Sequence, residues 1–241
     1  MPTTWYEGKV IKITDETASV KRFEVEIQDV ENFEFRAGQF VTMDLPVGEK
    51  RLQRWRSYSI ASAPKGNAIL EFCIGKLEGG LGTTYLFETV EIGSFLKFKG
   101  PDGNFCLSEN IEKDIVMICT GTGVAPFKSM LDDVFFTEKK HQNIHLIFGC
   151  RYEKDILYRK ELEDLQAEIP NFTYEIALSR EKVSNFTNGY VHELYLEKYK
   201  NPRPDIHFML CGWSAMIDET VANLIVKLGY ERTQVQYELY G

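Results

Sequence analysis

Apolar and polar positions follow two rhythms in the two halves of the chain. From residue 8 to about 107 the period is two, as in Lys9-Val10-Ile11-Lys12-Ile13, residues 20–27, and residues 39–45 after an Ala37-Gly38 turn. A period of two sends alternate side chains to opposite faces of a strand and leaves one face to be buried. Residues 68–74 and 94–99 add two strands, with Gly66-Asn67 and Gly100-Pro101-Asp102-Gly103 supplying the turns. Only residues 83–89 read as a short helix in this half. Short strands at this spacing predict an antiparallel β-barrel.

After Asp114 the rhythm becomes apolar strand, turn, helix and strand again. Ile115-Val116-Met117-Ile118-Cys119 is apolar on both faces, Gly121-Thr122-Gly123 turns the chain, and residues 126–136 have helical spacing. Strands at 144–148, 172–178 and 206–211 follow, with helices at 157–167 and 214–228. Strands alternating with helices predict an α/β doubly wound parallel sheet. The boundary falls near residues 108–113, giving a two-domain chain: a barrel over 1–110 and an α/β domain over 111–241.

Composition narrows the function. The 241 residues carry a net charge of −8, which disfavours general nucleic-acid binding. The chain opens without a basic stretch and apolar run, and no ~18 apolar residues occur in succession. A cytoplasmic protein with no stable membrane insertion is expected. Cys73, Cys106, Cys119, Cys150 and Cys211 are odd in number and widely spaced, so neither a disulfide framework nor a metal site is expected. One run departs from the acidic background. Lys50-Arg51-Leu52-Gln53-Arg54-Trp55-Arg56 reads either as a solvated strand edge or loop, or as a positive rim for phosphates or an acidic protein partner.

Three segments carry candidate chemistry. Gly121-Thr122-Gly123-Val124-Ala125-Pro126 lies between a strand and a helix, where amides and the helix dipole receive a pyrophosphate; a purely structural turn is the alternative, since the third glycine of the dinucleotide fingerprint is missing. Arg56-Ser57-Tyr58-Ser59 offers a cation, an aromatic plate and a hydroxyl, as a flavin site requires, or an ordinary half-exposed strand. Glu78-Gly79-Gly80-Leu81-Gly82-Thr83-Thr84 opens a helix and is a second phosphate cradle.

Arg56-Ser57-Tyr58-Ser59-Ile60-Ala61-Ser62, Gly100-Pro101-Asp102-Gly103-Asn104-Phe105, Gly121 to Phe127, and Cys211-Gly212-Trp213-Ser214-Ala215-Met216 occur in the order and spacing of the ferredoxin-NADP reductase superfamily. The resemblance spans nearly the whole chain. It implies bound FAD, NADP(H) as substrate with NAD(H) as the alternative, and a relay of a hydride to the flavin followed by single electrons to an acceptor.

Position by position, Arg56 resembles the arginine that pairs with the flavin phosphate, Tyr58 the tyrosine against the isoalloxazine, and Ser59 the hydroxyl near flavin N5. Leu81, Gly82 and Thr83 resemble the loop completing the pyrophosphate site, and Ile74 a backbone neighbour of the flavin. Thr122, with Gly123, resembles the junction of the two nucleotides. Cys211 resembles the cysteine beside the nicotinamide, with a plain buried thiol as its alternative. Glu238 and Tyr240 resemble the terminal carboxylate and flavin-covering aromatic; the extra Gly241 leaves open whether Tyr240 stacks, is displaced or frays.

Ser179-Arg180 resembles the pair that selects NADPH by its 2′-phosphate, Tyr190 an adenine-packing or phosphate-contacting residue, and Cys150-Arg151 a second positive contact. The alternative for Arg180 is a surface arginine paired with Glu181 or Glu175. Asn188-Gly189 stands where a basic residue is expected. Ser59, Cys211 and Glu238 would orient the rings and manage the proton. With no C-x4-C-x2-C cluster in the chain, the expected partner is a separate ferredoxin or flavodoxin, and the protein is expected to act as a monomer. The other readings are an NADH-dependent oxygenase reductase component, a free-flavin or quinone reductase, and a non-catalytic flavin-binding electron-transfer subunit.

Overall fold

A computed structural model describes residues 4–240, which divide into two compact units. The first runs to Leu107 and also takes in Ala125–Glu138; the second comprises Ser108–Val124 and the chain from Lys139 onward.

In the first unit six strands form one antiparallel sheet: β1 (Trp5–Thr17), β2 (Val20–Ile27), β3 (Phe40–Asp44), β4 (Trp55–Ser59), β5 (Ile69–Gly75) and β6 (Phe95–Asp102), in the order β4-β3-β6-β1-β2-β5. A bridge from Ile60 to Phe72 joins the chain after β4 to β5 and brings the two ends of the sheet together as a barrel. The period of two is visible in burial. Val41 and Met43 face a core with Phe98, Leu96, Val10, Val25 and Phe23, while Thr42, Lys97 and Lys99 take the other face. A register shift between Val10 and Lys12 is a bulge that lets the 13-residue β1 curve around this core.

Two helices belong to the barrel half. The expected one is α2 (Leu81–Glu88), which buries Leu86. The other corrects part of the sequence reading: within the basic run Arg51–Arg54 form a helical turn, α1, while Trp55 and Arg56 begin β4 at the edge of the sheet. Gln53 makes that turn by accepting the backbone N–H of Lys50 at 3.0 Å and of Glu49 at 3.2 Å, a local side-chain choice that hydrophobic period does not register.

In the second unit β7 (Asp114–Thr120), β8 (Ile144–Cys150), β9 (Phe172–Leu178), β10 (Thr187–Asn188), β11 (Ile206–Trp213) and β12 (Val235–Tyr240) form a wholly parallel sheet in the order β10-β9-β8-β7-β11-β12. The chain steps outward from β7 to β9 and then returns to the other side of β7, so the topological switch lies between β7 and β11. The connecting helices are α4 (Arg159–Glu168), α5 (His192–Lys198) and α6 (Ser214–Ala222), the last continuing as a widened turn over Asn223–Lys227. Leu194, Tyr195, Ile217 and Leu224 from this side pack with Val116, Ile118, Phe208 and Leu210 in one core.

Between β7 and β8 runs α3 (Ala125–Phe136), which packs with the barrel. Phe127 lies 5.7 Å from Phe105 between ring centroids, and Ser129 Oγ donates to the Ser62 carbonyl at 2.6 Å. Lys128 and Asp132, both nearly buried, pair at 2.5 Å one turn apart. Among the described residues no helix is long and apolar enough to cross a membrane.

Candidate active site

The flavin-type residues assemble in the barrel unit. Arg56, Tyr58 and Ser59 occupy β4, antiparallel to β3 with Val41 opposite Tyr58 and Phe40 opposite Ser59. The first turn of α2 stands beside Arg56. A Cβ built on Gly82 would lie 3.2 Å from Arg56 Cγ and 3.6 Å from its Nε, so the bare glycine lets the arginine shaft lie directly on the helix start. Gly80 supplies no side-chain cap to α2, and the first-turn amides of Leu81, Gly82 and Thr83 have no intrahelical acceptor. Thr83 Oγ1 folds back onto the Leu77 and Gly80 carbonyls and accepts the Leu77 amide, fixing the loop before the helix.

Arg56 Nη1 donates to the Leu52 carbonyl at 2.9 Å and to its neighbour Trp55 at 2.7 Å, which orients the guanidinium; among the described residues no carboxylate pairs with it. A fixed guanidinium beside free helix-start amides is a site for a doubly charged phosphate group.

Tyr58 is partly buried against the barrel core, and burial pushes its phenol up to about 12, the Arg56 charge opposing the rise. It therefore presents a neutral ring and a proton donor at any physiological pH. Ser59 is buried at the end of the strand. Ile74, almost fully buried on β5, stands opposite Lys21 of β2.

The second group lies at the carboxyl ends of the parallel strands, where open α/β sheets bind ligands at the switch point. Thr122 and Gly123 form a single 3-10 turn, Gly121–Val124, directly after β7. A Cβ on Gly123 would come within 2.4 Å of the Cys211 carbonyl, so only glycine allows the turn to lie against the end of β11. Cys211 is fully buried, opposite Cys119 of β7 on one side and Glu238 of β12 on the other. Burial first, and the nearby Glu238 carboxylate second, hold its thiol well above the ordinary range, while a hydrogen bond with Tyr240 works the other way.

Cys211 is thus a neutral thiol flanked by a carboxylate and a phenol. Tyr240 is the last residue of β12, paired with Trp213 of β11. Gly241, on which its expected displacement turned, lies outside the described residues.

At the next two strand ends, Ser179 Oγ and N–H both donate to the Cys150 carbonyl, at 3.3 and 3.0 Å, and the Arg180 amide donates to the Arg151 carbonyl at 3.0 Å. This brings Cys150-Arg151 and Ser179-Arg180 side by side. Neither expected pairing of Arg180 forms among the described residues: Glu175 binds His145 and Lys198, and Glu181 accepts the Glu153 amide at 2.6 Å. Tyr190 precedes α5, is 63% exposed, and stacks on His192 at 5.3 Å.

Sequence reasoning missed the depression next to these arginines, about 540 Å³ and lined by Tyr152, Glu153, Lys154, Arg159 and Glu181. Arg159 is held there by Glu153 at 2.7 Å and Glu163 at 2.9 Å. Its lining comes from two segments some thirty residues apart, and only the strand register joins them.

Two family models match the chain. An oxidoreductase FAD-binding domain matches residues 7–106, and an oxidoreductase NAD-binding domain matches residues 117–222. Ferredoxin–NADP reductase B of Sorangium cellulosum (strain So ce56) is 32% identical over 98% of this chain and 97% of its own length. The phenol hydroxylase P5 protein of Acinetobacter pittii (strain PHEA-2) is 30% identical over 94% of this chain, which spans 63% of that longer protein. Among solved structures, a ferredoxin NADP+ reductase from Neisseria gonorrhoeae with bound FAD and NADP superposes with a TM-score of 0.83 at 22% identity, covering 99% of both chains. Matched along both units, with an FAD-binding and an NAD-binding domain in that order, the chain belongs to the ferredoxin-NADP reductase superfamily of oxidoreductases.

Proposed function

We propose that the protein passes electrons from NADPH through FAD to a separate one-electron carrier of the ferredoxin or flavodoxin type. Residues 1–110 serve the flavin and residues 111–241 the nicotinamide nucleotide. The observation carrying the flavin half is Arg56 lying against Gly82 at an uncapped helix start, a cradle that fits a pyrophosphate. Bound FAD supplies what side chains lack, acceptance of a hydride and release of electrons one at a time.

The remaining tasks fall to this chain. Arg56, Leu81, Gly82 and Thr83 hold the flavin phosphates, Tyr58 packs on the ring, Ile74 lends backbone beside it, and Ser59 places its hydroxyl at N5. Thr122 and Gly123 receive the nicotinamide nucleotide. The neutral Cys211 thiol shapes the nicotinamide pocket without competing as a nucleophile, Glu238 manages the proton, and Tyr240 covers the ring. Arg180 and Ser179, with Arg151 and Cys150 alongside and Tyr190 packing the adenine, recognise the 2′-phosphate. The similarity to the Sorangium reductase over almost the full length of both chains supports this assignment of acceptor class.

A second reading, an NADH-dependent reductase component of an oxygenase, draws support from the depression beside Arg180, where Glu153 and Glu181 offset Lys154 and Arg159 and leave no net positive charge for an extra phosphate. Stopped-flow reduction of the FAD-loaded protein decides between them. Faster reduction with NADPH, lost selectively in Arg180→Ala, supports the first reading; faster reduction with NADH, indifferent to Arg180→Ala, supports the second.

A further inference from the structure

Of the chain's three tryptophans, two are engaged and one is not. Trp5 and Trp55 meet edge to face with centroids 5.5 Å apart, and Lys97, Lys99 and Arg51 lie over their rings. Trp213 is 63% exposed, and among the described residues its indole meets no other ring and no cation. It precedes α6 as the N-cap without making a side-chain cap bond. Neither packing nor capping accounts for a large apolar ring left in water.

The backbone beneath that ring is fixed. Trp213 N–H donates to Thr120 Oγ1 at 3.2 Å, at the end of β7. Gly212, just before it, has a φ of +133°, and a Cβ there would lie 2.5 Å from the same hydroxyl oxygen, so glycine is what lets the end of β11 close on β7. Parallel register sets Trp213 opposite Tyr240 of β12, two residues beyond the Cys211–Glu238 pair. The free indole is therefore anchored at the switch point between β7 and β11, where an open α/β sheet binds its ligand.

The reacting end of a nicotinamide nucleotide suits such a ring. Oxidised nicotinamide is a flat pyridinium cation, and indole is the aromatic side chain that attracts a ligand cation best. The reduced ring is neutral, so it gains contact with the indole but not that attraction. We infer that the Trp213 indole stacks on the nicotinamide ring and holds the oxidised nucleotide in preference to the reduced one. This rests on the reductase reading above, and it does not depend on the 2′-phosphate.

The test is equilibrium titration of the FAD-loaded protein with NADP+ and, separately, with 2′,5′-ADP, which carries the adenosine phosphates and no nicotinamide. The affinity for NADPH is read from the concentration dependence of stopped-flow flavin reduction. Trp213→Ala, with unchanged FAD content, should raise the Kd for NADP+ about tenfold and that for NADPH about threefold or less, leaving 2′,5′-ADP unchanged. Trp213→Phe should recover part of the loss. Tryptophan emission should be quenched by NADP+ in the wild type and not in Trp213→Phe, which keeps Trp5 and Trp55. If NADH proves the better reductant, NAD+ and 5′-ADP take the place of the two probes. Wild-type affinity for the oxidised nucleotide in Trp213→Ala would overturn the inference. So would equal losses for NADP+ and 2′,5′-ADP, which would seat the indole on the adenosine half, or equal losses for the two oxidation states. If the wild type binds none of these nucleotides, the reductase reading itself fails.

Discussion

At the scale of single residues, the chemistry of the site turns on which groups carry charge. Arg180→Ala should remove a charge-assisted contact worth about 1 to 3 kcal/mol, weakening NADPH roughly ten- to hundredfold in steady-state KM while NADH changes little. Ser59→Ala should slow flavin reduction in stopped flow with FAD still bound; an unchanged rate removes Ser59 from the chemistry. Cys211 and Cys119 are both buried thiols held well above the ordinary range, burial being the larger cause in each. Mass spectrometry after iodoacetamide treatment of the native protein at pH 8 should find both unmodified, because the thiolate is the reactive form. The types and strand-end positions of Arg56, Tyr58, Ser59 and Cys211 were legible in sequence. The flank of Cys211 by Glu238 and Tyr240 rests on strand pairing across nearly thirty residues, and the Arg56–Gly82 contact on a similar distance. Local pattern encodes neither.

At the scale of elements, two polar devices tie the framework together. His145 of β8 meets Tyr199 OH at 2.7 Å through Nδ1 and Glu175 of β9 at 2.8 Å through Nε2, and Lys198 of α5 lies 2.5 Å from the same carboxylate. The His145 hydrogen bond, then Lys198, holds Glu175 down to about 2 against the opposing effect of burial. A depressed carboxyl contributes its stability in full above the ordinary value of 4.5 and loses it as the pH falls towards 2. Glu175→Gln should therefore cost roughly 2 kcal/mol in urea unfolding at pH 7, allowing for partial exposure, with the deficit shrinking between pH 5 and pH 2.

The other device is Ser129 of α3 on the Ser62 carbonyl. Ser129→Ala leaves that carbonyl without its partner and should cost about 1 to 2 kcal/mol in the same measurement. Most strands were legible because each buries one or both faces: β9 falls on 172–178 as the pattern predicts. The short α5 and the final strand β12 were not. β12 alternates between buried and exposed only weakly, and its place is set by pairing with β11.

At the scale of the whole molecule, the boundary near residues 108–113 marks where the rhythm changes, yet α3 from beyond it packs with the barrel. Helical period shows that such a segment has a buried face; it does not show which unit supplies the partner. Phe127, Met130, Leu131 and Val134 are all essentially buried, and Phe127→Ala should cost about 3 to 5 kcal/mol by leaving a cavity. The proposed passage of electrons from NADPH to FAD is checked by anaerobic addition of NADPH to the FAD-loaded protein while its visible flavin absorption is followed. FAD should bind, and one equivalent of NADPH should bleach it. Failure to bind FAD, or a bound flavin that neither NADPH nor NADH bleaches, would contradict the proposal.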